Sequence, residues 1–425
     1  MASTMRFGVI GLGRAGAGML AAMAEHPDIE VTAAADIYKE HLTRFKEEFG
    51  GQTFTEAADL VRSKEVDAVY IATPHQFHVD HVLLAAEHGK HVIVEKPMAL
   101  TLADCDEMIE IAKRTGIKMI VGHTASYNPG VMRMRQLIAN EEFGKLGMIS
   151  ATAYTDFLYR PRRPEELVTE LGGGIIFNQV PHQVDASRYI GGGMVRSVRA
   201  MTWVLDTNRP TEGAYMAMLE FESGAGASLV YSGYDHFNSG EIASAKGRRA
   251  PESFGAVRRE LGIRDPEEET AMRIATGYGG NTPRRRPPAM IEGAERPPVT
   301  QRAEGNGASR QRGGDGEGRQ GLAQAELGSF IVTCEGADLR LTDDGVLAYS
   351  TAGLRDLGAS PWRGTPGRGN VIDELFFAVT ENRPVIHHPA WAKATMEVCL
   401  GFLDSAREHR DVSMRYQVPT VDISP

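Results

Sequence analysis

Two short runs combine residue types and spacings suited to acid–base chemistry. The first is Glu95-Lys96-Pro97, at the end of an apolar, strand-like segment. A lysine is a poor choice for a buried strand end unless it has a task. One that is desolvated beside a ligand titrates low enough to accept a proton; a solvated surface lysine is the plain alternative. The second run is Gly172-Gly-Gly174 followed by Ile-Ile-Phe-Asn178-Gln-Val-Pro181-His182-Gln-Val-Asp185. As a helix start with Pro181 in the first turn, it puts Asn178, His182 and Asp185 at i, i+4 and i+7 on one face. A histidine beside an amide and a carboxylate suits a proton relay, while a purely structural helical histidine is the competing reading.

A proton acceptor needs a partner reaction, and Gly11-Leu-Gly13-Arg14-Ala15-Gly16 points to one. It follows the strand-like Met5–Ile10 and opens the helical spacing of Ala17–Ala24, and Asp36 ends the next strand about twenty residues on. The glycines then permit a tight turn, close approach of a pyrophosphate and close helix packing. The helix N-terminus offers unpaired N–H groups to phosphate. A carboxylate at Asp36 accepts from ribose hydroxyls and repels a 2′-phosphate, so NAD is expected and NADP disfavoured. Tyr38 and Lys39 lie close by, and a lysine there offers a partner for that phosphate. A ligand-free turn and a plain strand-end aspartate are the simpler readings. Thr73, Pro74, His75 and His78 follow another buried strand at the carboxyl edge of the sheet, where ligands bind in open α/β folds. Thr73, Pro74, His78, Glu95 and Lys96 are accordingly expected along the cofactor.

The elements that deliver these groups alternate at first. Met5–Ile10, Ile29–Ala35, Ala68–Ala72, His91–Glu95 and Lys118–Val121 read as strands, with helical spacing between them. This predicts an α/β fold with a doubly wound parallel Rossmann sheet over residues 5–125. From Met148–Phe157 onward the pattern turns to strands with few helices. It predicts a second, α+β domain over 126–425 with a large open mixed or antiparallel sheet. Inside it, residues 240–325 form an Arg/Pro/Gly-rich insertion in which Glu268–Ala275 supports a short helix. The stretch from about Asn281 to Gly321 lacks the apolar content to offset its ordering entropy and is expected to be mobile.

The 425 residues, 42% hydrophobic and 24% charged, fit an ordinary two-domain globular protein. A net charge of −10 argues against nucleic acid or an anionic membrane as partner and leaves small molecules. Cys105, Cys334 and Cys399 are odd in number and far apart, without zinc spacing, so neither disulfides nor a metal site is expected. No apolar run of secretory or bilayer-spanning length occurs, and the expected location is cytoplasmic.

The ordered set of Gly11–Gly16, Thr73-Pro74 with His78, Glu95-Lys96-Pro97, and the glycine run before His182 and Asp185 resembles the glucose–fructose oxidoreductase / inositol dehydrogenase / MocA (Gfo/Idh/MocA) family. That resemblance implies hydride transfer between nicotinamide and a ring carbinol in a site between the domains, and homodimers or homotetramers through the exposed sheet face. It matches Lys96 to the family's catalytic lysine and His182 to its catalytic histidine. Asn178 stands where many members have aspartate. In the implied scheme Lys96 or His182 takes the alcohol proton, Asn178 orients a hydroxyl, and Asp185 fixes the histidine ring. Thr73–His78, Phe177–Asp185, Ala275–Gly280 and Ile331–Arg340 resemble the phthalate cis-4,5-dihydrodiol dehydrogenase branch. Tyr159, Arg160, Arg162 and Arg163 then offer guanidinium forks to a substrate carboxylate, although a solvated basic loop is an equally open reading. His75, Tyr127 and Asn128 are further candidate lining residues. A sugar, inositol or glycoside dehydrogenase is the rival enzyme. A catalytically silent NAD- or sugar-sensing protein is the rival of another class, and retention of both Lys96 and His182 argues against it.

Overall fold

The computed structural model describes residues 4–239, 265–278, 326–363 and 365–421. The excursion at Pro283–Arg319, expected to be mobile, lies outside the described residues. Strands β1 (Met5–Ile10), β2 (Ile29–Ala35), β3 (Gln52–Phe54), β4 (Ala68–Ile71), β5 (His91–Val94) and β6 (Met119–Val121) make an all-parallel sheet ordered β3-β2-β1-β4-β5-β6. Helices α1 (Arg14–Ala24), α2 (Lys39–Phe49), α3 (Ala57–Val61), α4 (His78–Glu87) and α5 (Leu102–Thr115) provide the crossovers. All four residues of β4, Ala-Val-Tyr-Ile, are buried, as a strand covered on both faces requires. The strand order reverses between β1 and β4, which opens a crevice at their carboxyl ends.

The second half contributes α6 (Pro129–Ala139), β7 (Leu146–Tyr154), α7 (Gly174–Asn178), α8 (Val180–Gly191), β8 (Val195–Trp203), β9 (Ala214–Phe221) and β10 (Gly226–Ser232). Then follow α9 (Pro266–Ala275), β11 (Ser329–Cys334), β12 (Ala337–Thr342), β13 (Gly345–Ser350), β14 (Gly353–Asp356), α10 (Arg368–Thr380), α11 (Pro389–Glu408) and β15 (Val412–Ser413). Nine strands form one sheet, ordered β14-β13-β12-β11-β7-β10-β9-β8-β15, with only β7 and β10 parallel. Alternation sets its two faces. In β9, Tyr215, Ala217, Leu219 and Phe221 are buried beneath the helices, while Met216 and Met218 are exposed on the other side. Sequence periodicity missed β14, whose residues are all exposed and carry no apolar pattern.

Two expectations are corrected. Asn178, His182 and Asp185 do not share one continuous helix: α7 ends at Asn178, Gln179 breaks the path, and α8 starts at Val180. Pro181 has no N–H to bond the preceding turn, so it sits in the first turn of a new helix rather than inside a continuous one. The division at residue 125 is also too simple, because α10 packs on α1, β5 and β6 of the first sheet. Its Asp373 meets His26 at 3.0 Å, and Val121 N–H at the sheet edge donates to His387 O at 3.0 Å.

A buried polar network fastens the domains. Asp185, fully buried on α8, accepts from the Trp391 indole N–H (2.7 Å) and from the Ser126 hydroxyl. Ser126 Oγ lies 2.6 Å from His387 Nε2, and His387 Nδ1 lies 3.1 Å from Glu374 Oε2. With Ser126 donating to Asp185 and Glu374 only accepting, both ring nitrogens of His387 must donate, which makes it an imidazolium. Burial opposes that charge, but Glu374 and Asp185 overcome it and raise the His387 pKa from 6.5 to about 9. Because the folded value is raised, this stabilisation is complete below the unfolded value and is lost as pH climbs through the folded one. Glu374→Gln is therefore expected to destabilise the protein by about 3–5 kcal/mol near pH 6. The deficit should shrink toward about pH 10. Thermal melts of both proteins across that range measure it, and a deficit independent of pH would contradict a charged His387.

Candidate active site

The turn between β1 and α1 is built for close approach. Gly11 holds φ at 93°, and a methyl group on it would sit 2.7 Å from Ala72 O. Helix α1 starts after Gly13 with no side-chain cap and no acidic residue in its first turn. Its first intrahelical bond runs from Ala17 N–H to Gly13 O, so the N–H groups of Arg14, Ala15 and Gly16 precede the ladder. A Cβ built on Gly13 would meet nothing within 4 Å. The result is an open, positive helix end of the kind that receives phosphate. Beside it, Asp36 accepts from Leu12 N–H (2.6 Å) through one oxygen and from Tyr38 N–H (2.8 Å) through the other. Each oxygen keeps acceptor capacity for a ribose hydroxyl. These residues fit a dinucleotide. The far side of the turn is held by Tyr278, just beyond α9, whose N–H donates to Leu12 O at 2.7 Å.

The turns after β4 and β5 are tied together by His78. Its ring nitrogens lie 3.1 Å from Pro97 O, 3.2 Å from Met98 O and 3.0 Å from Thr73 O. Thr73 Oγ1 meets His81 Nδ1 at 3.0 Å, and Pro74 opens the short turn 75–77. Glu95 accepts from the Tyr70 hydroxyl and from Lys96 N–H (3.0 Å), and the Lys96–Pro97 bond is cis. His75 is half-buried near Lys96 and His78, and burial holds its pKa well below the ordinary histidine value.

Lys96 is thereby aimed across the crevice, and its ammonium donates to Asn178 O at 3.1 Å. The Asn178 amide donates to Gly172 O (3.2 Å) and Gly174 O (2.8 Å), closing the glycine turn. One turn on, His182 is buried, with Nδ1 3.3 Å from Glu326 Oε2. Burial lowers its pKa below 6.5, Glu326 pulls the other way, and Lys96 lowers it further. The neutral imidazole at pH 7 can accept a proton. His123 completes the cluster. It is 2% exposed, neither ring nitrogen has a hydrogen bond among the described residues, and burial drives its pKa down to about 3.

Other expected site residues have structural partners. Asp185 carries no bond to His182, because Ser126 and Trp391 hold its carboxylate in the interdomain core. Tyr127 is buried against the His387 ring at 4.6 Å, and the Asn128 side chain caps α6 by accepting from Gly130 N–H (2.9 Å). Tyr159 is buried and donates to Asp206. In the basic loop, Arg162 is buried over the Phe157 ring at 3.9 Å and donates to Phe157 O (2.7 Å). Arg163 pairs with Glu165 at 3.3 Å. Arg160 Nε donates to Asp156 (2.9 Å), and its charge is within electrostatic reach of both Arg14 at the phosphate turn and Glu326 of the acid–base cluster.

Sequence reasoning missed Glu326, His123, His387 and Trp391. His123 follows β6 at the same carboxyl edge as Lys96, a signal that could have found it. Glu326 has no motif around it and is brought in only by the fold. Among the described residues no cluster of metal-binding side chains occurs, and no helix is long and apolar enough to cross a membrane.

Comparison with known proteins agrees with this geometry. Residues 5–123 match the family model for an oxidoreductase family with an NAD-binding Rossmann fold, and residues 131–249 match the GFO/IDH/MocA C-terminal domain. A 1-carboxy-3-chloro-3,4-dihydroxycyclohexa-1,5-diene dehydrogenase of Comamonas testosteroni is 36% identical over 95% of both chains. A myo-inositol 2-dehydrogenase of Thermotoga maritima is 30% identical over 57% of this chain and 74% of its own. A crystal structure from Bordetella bronchiseptica RB50 superposes with a TM-score of 0.82 at 40% identity, covering 96% of this chain and all of that one. The chain belongs to the Gfo/Idh/MocA family of NAD-binding oxidoreductases.

Proposed function

We propose that this enzyme oxidises a secondary alcohol on a carboxylated ring diol, using NAD in preference to NADP. The observation that carries this is the convergence of Lys96 and a neutral His182 beside the phosphate-binding turn, with Arg160 near both. The likeness to a dehydrogenase of a carboxylated dihydroxycyclohexadiene supports the substrate class. NAD+, when bound, supplies the hydride acceptor. The chain's own groups then handle the proton: as the C–H bond breaks and C=O forms, the hydroxyl proton passes to the neutral His182 or to a Lys96 amine that has first released its own proton, since an ammonium cannot accept one. Asn178 O fixes the ammonium. For a cis-dihydrodiol the product ketone enolises to a catechol, which drives the reaction forward.

Arg160 is the arginine of its loop best suited to the substrate carboxylate. Its single described ion pair, through Nε, leaves the forked end for a second acid. Asp36, which accepts from Leu12 and Tyr38 N–H and lies 3.3 Å from His41 Nδ1, supports NAD through its capacity to accept from ribose hydroxyls. The exposed methionines Met148, Met201, Met216 and Met218 on the outer sheet face support a homo-oligomer through that face. A cytoplasmic location fits three buried free cysteines.

Reduction of NAD+ and NADP+ is to be followed by absorbance with phthalate cis-4,5-dihydrodiol, myo-inositol, glucose and a glycoside. Turnover of the dihydrodiol with NAD+ is expected. A rate with inositol or a sugar alone would keep the machinery and discard the carboxylated substrate. Lys96→Ala should lose about 100- to 10,000-fold in kcat while NADH binding persists, and full activity would reject its role. Arg160→Met should raise KM for the dihydrodiol by about 10- to 100-fold and leave an uncharged ring diol little changed. Met216→Glu with Met218→Glu should convert the oligomer to monomer in light scattering; an unchanged mass would place the interface elsewhere.

A further inference from the structure

A histidine that takes a proton inside a buried site becomes an imidazolium, and in a low-dielectric surrounding that charge needs a counter-ion. Four carboxyl or amide groups near His182 come into question, and the geometry sorts them: Glu95 already accepts from the Tyr70 hydroxyl and from Lys96 N–H. The Asn178 side chain faces two carbonyl oxygens, Gly172 O and Gly174 O, so its NH2 end must point there. A carboxylate at that position would be repelled by both. Asp185 is on the same helix as His182, but its oxygens are taken by Trp391 and Ser126. Glu326 is the remaining one: its Oε2 lies 3.3 Å from His182 Nδ1, and its side chain is 30% exposed while that of His182 is 5% exposed.

We propose that Glu326 is a positioning residue for the reaction, facing His182 Nδ1, which has no hydrogen bond among the described residues while the ring is neutral, and balancing the positive charge the ring gains when Nε2 takes the substrate proton. This rests on the reading above that His182 takes part in proton transfer. The other charged and titratable groups facing His182 come from every side: Lys96 and Glu95 from the end of β5, Asp185 from α8, and His123 from the end of β6. Among the described residues Glu326 alone brings a carboxylate to 3.3 Å from a ring nitrogen, a pair that becomes ionic once His182 takes a proton. The same carboxylate lies within electrostatic reach of Lys96 and Arg160, whose charges, with that of His182, hold its pKa below the ordinary carboxylate value despite burial. It therefore stays ionised at neutral pH. No atom of Glu326 enters the balance of the reaction. The proton goes from the hydroxyl to His182, and the carboxylate remains ionised throughout.

The test uses the full chain and two readouts. In the first, the His182 ring is titrated by NMR without substrate, its signal assigned by its loss in His182→Gln. Glu326→Gln should lower the ring pKa by about one unit, and Glu326→Asp should restore most of it. In the second, kcat/KM is followed against pH with whichever substrate turns over. Glu326→Gln should lose about 10- to 100-fold in kcat, with its acidic limb moved in the same direction. Its NADH affinity, read by fluorescence, should match the wild type. An unmoved ring pKa overturns the proposal whatever the kinetics, and so does wild-type kcat with an unshifted profile. A moved ring pKa in a protein that turns over no substrate supports the ion pair and sinks the catalytic reading of the site instead.

Discussion

Removing a carboxylate from water is costly by several kcal/mol, and an interior position is tolerable only where donors replace the lost hydration. Asp185 meets that demand with donors from segments far apart in sequence. Ser126 comes from the link between the domains, and Trp391 from the first turn of α11. His387, 3.7 Å away and charged, is held in turn by Glu374 of α10. Each partner is buried, so each depends on the others being in place. The relative seating of the two sheets, and with it the width of the crevice between them, follows from this one anion.

That seating sets the acid–base chemistry at one remove. Helix α8 carries Asp185 on the side toward the interdomain core and His182 toward the crevice, so fixing the first orients the second. Lys96 arrives from the opposite domain and rests on a backbone carbonyl of the residue that ends α7. The neighbouring histidines differ sharply in character. His387 is flanked by two acids and holds its proton, while His182 and His123 lose theirs to burial. One patch of protein thus keeps a cation and two neutral imidazoles at neutral pH through burial and the placement of carboxylates together.

The first domain was legible because its rules are local. Each strand precedes a turn residue and a helix within a few positions, and the Gly11–Gly16 spacing means something only between a strand and a helix. The second sheet was legible as alternation in β8, β9 and β10, but β14 has no buried residue to betray it. The site split in the same way. Lys96 and His182 stand in motifs, whereas Glu326 reaches His182 across a sequence gap of more than a hundred residues that periodicity cannot bridge. Arg162 and Tyr127 show a second reason: their types suit ligand contacts, but the sequence does not reveal that each is also packed against a neighbouring ring.

Helix α10 has a consequence for the order in which this molecule assembles. The chain leaves the first sheet after β6, meets its domain again at Tyr278, lays α10 (Arg368–Thr380) against it, and ends in β15 on the second sheet, so the covalent path passes between the domains more than twice. On the ribosome the Rossmann strands are made first, yet one of their packing partners is made almost last. The nucleotide-binding domain therefore completes its packing only after α10 is made, and cutting the chain at the visible domain boundary would remove that helix from α1, β5 and β6. Repeated crossings also restrict how the halves move, since each further tether removes freedom of rotation of one about the other.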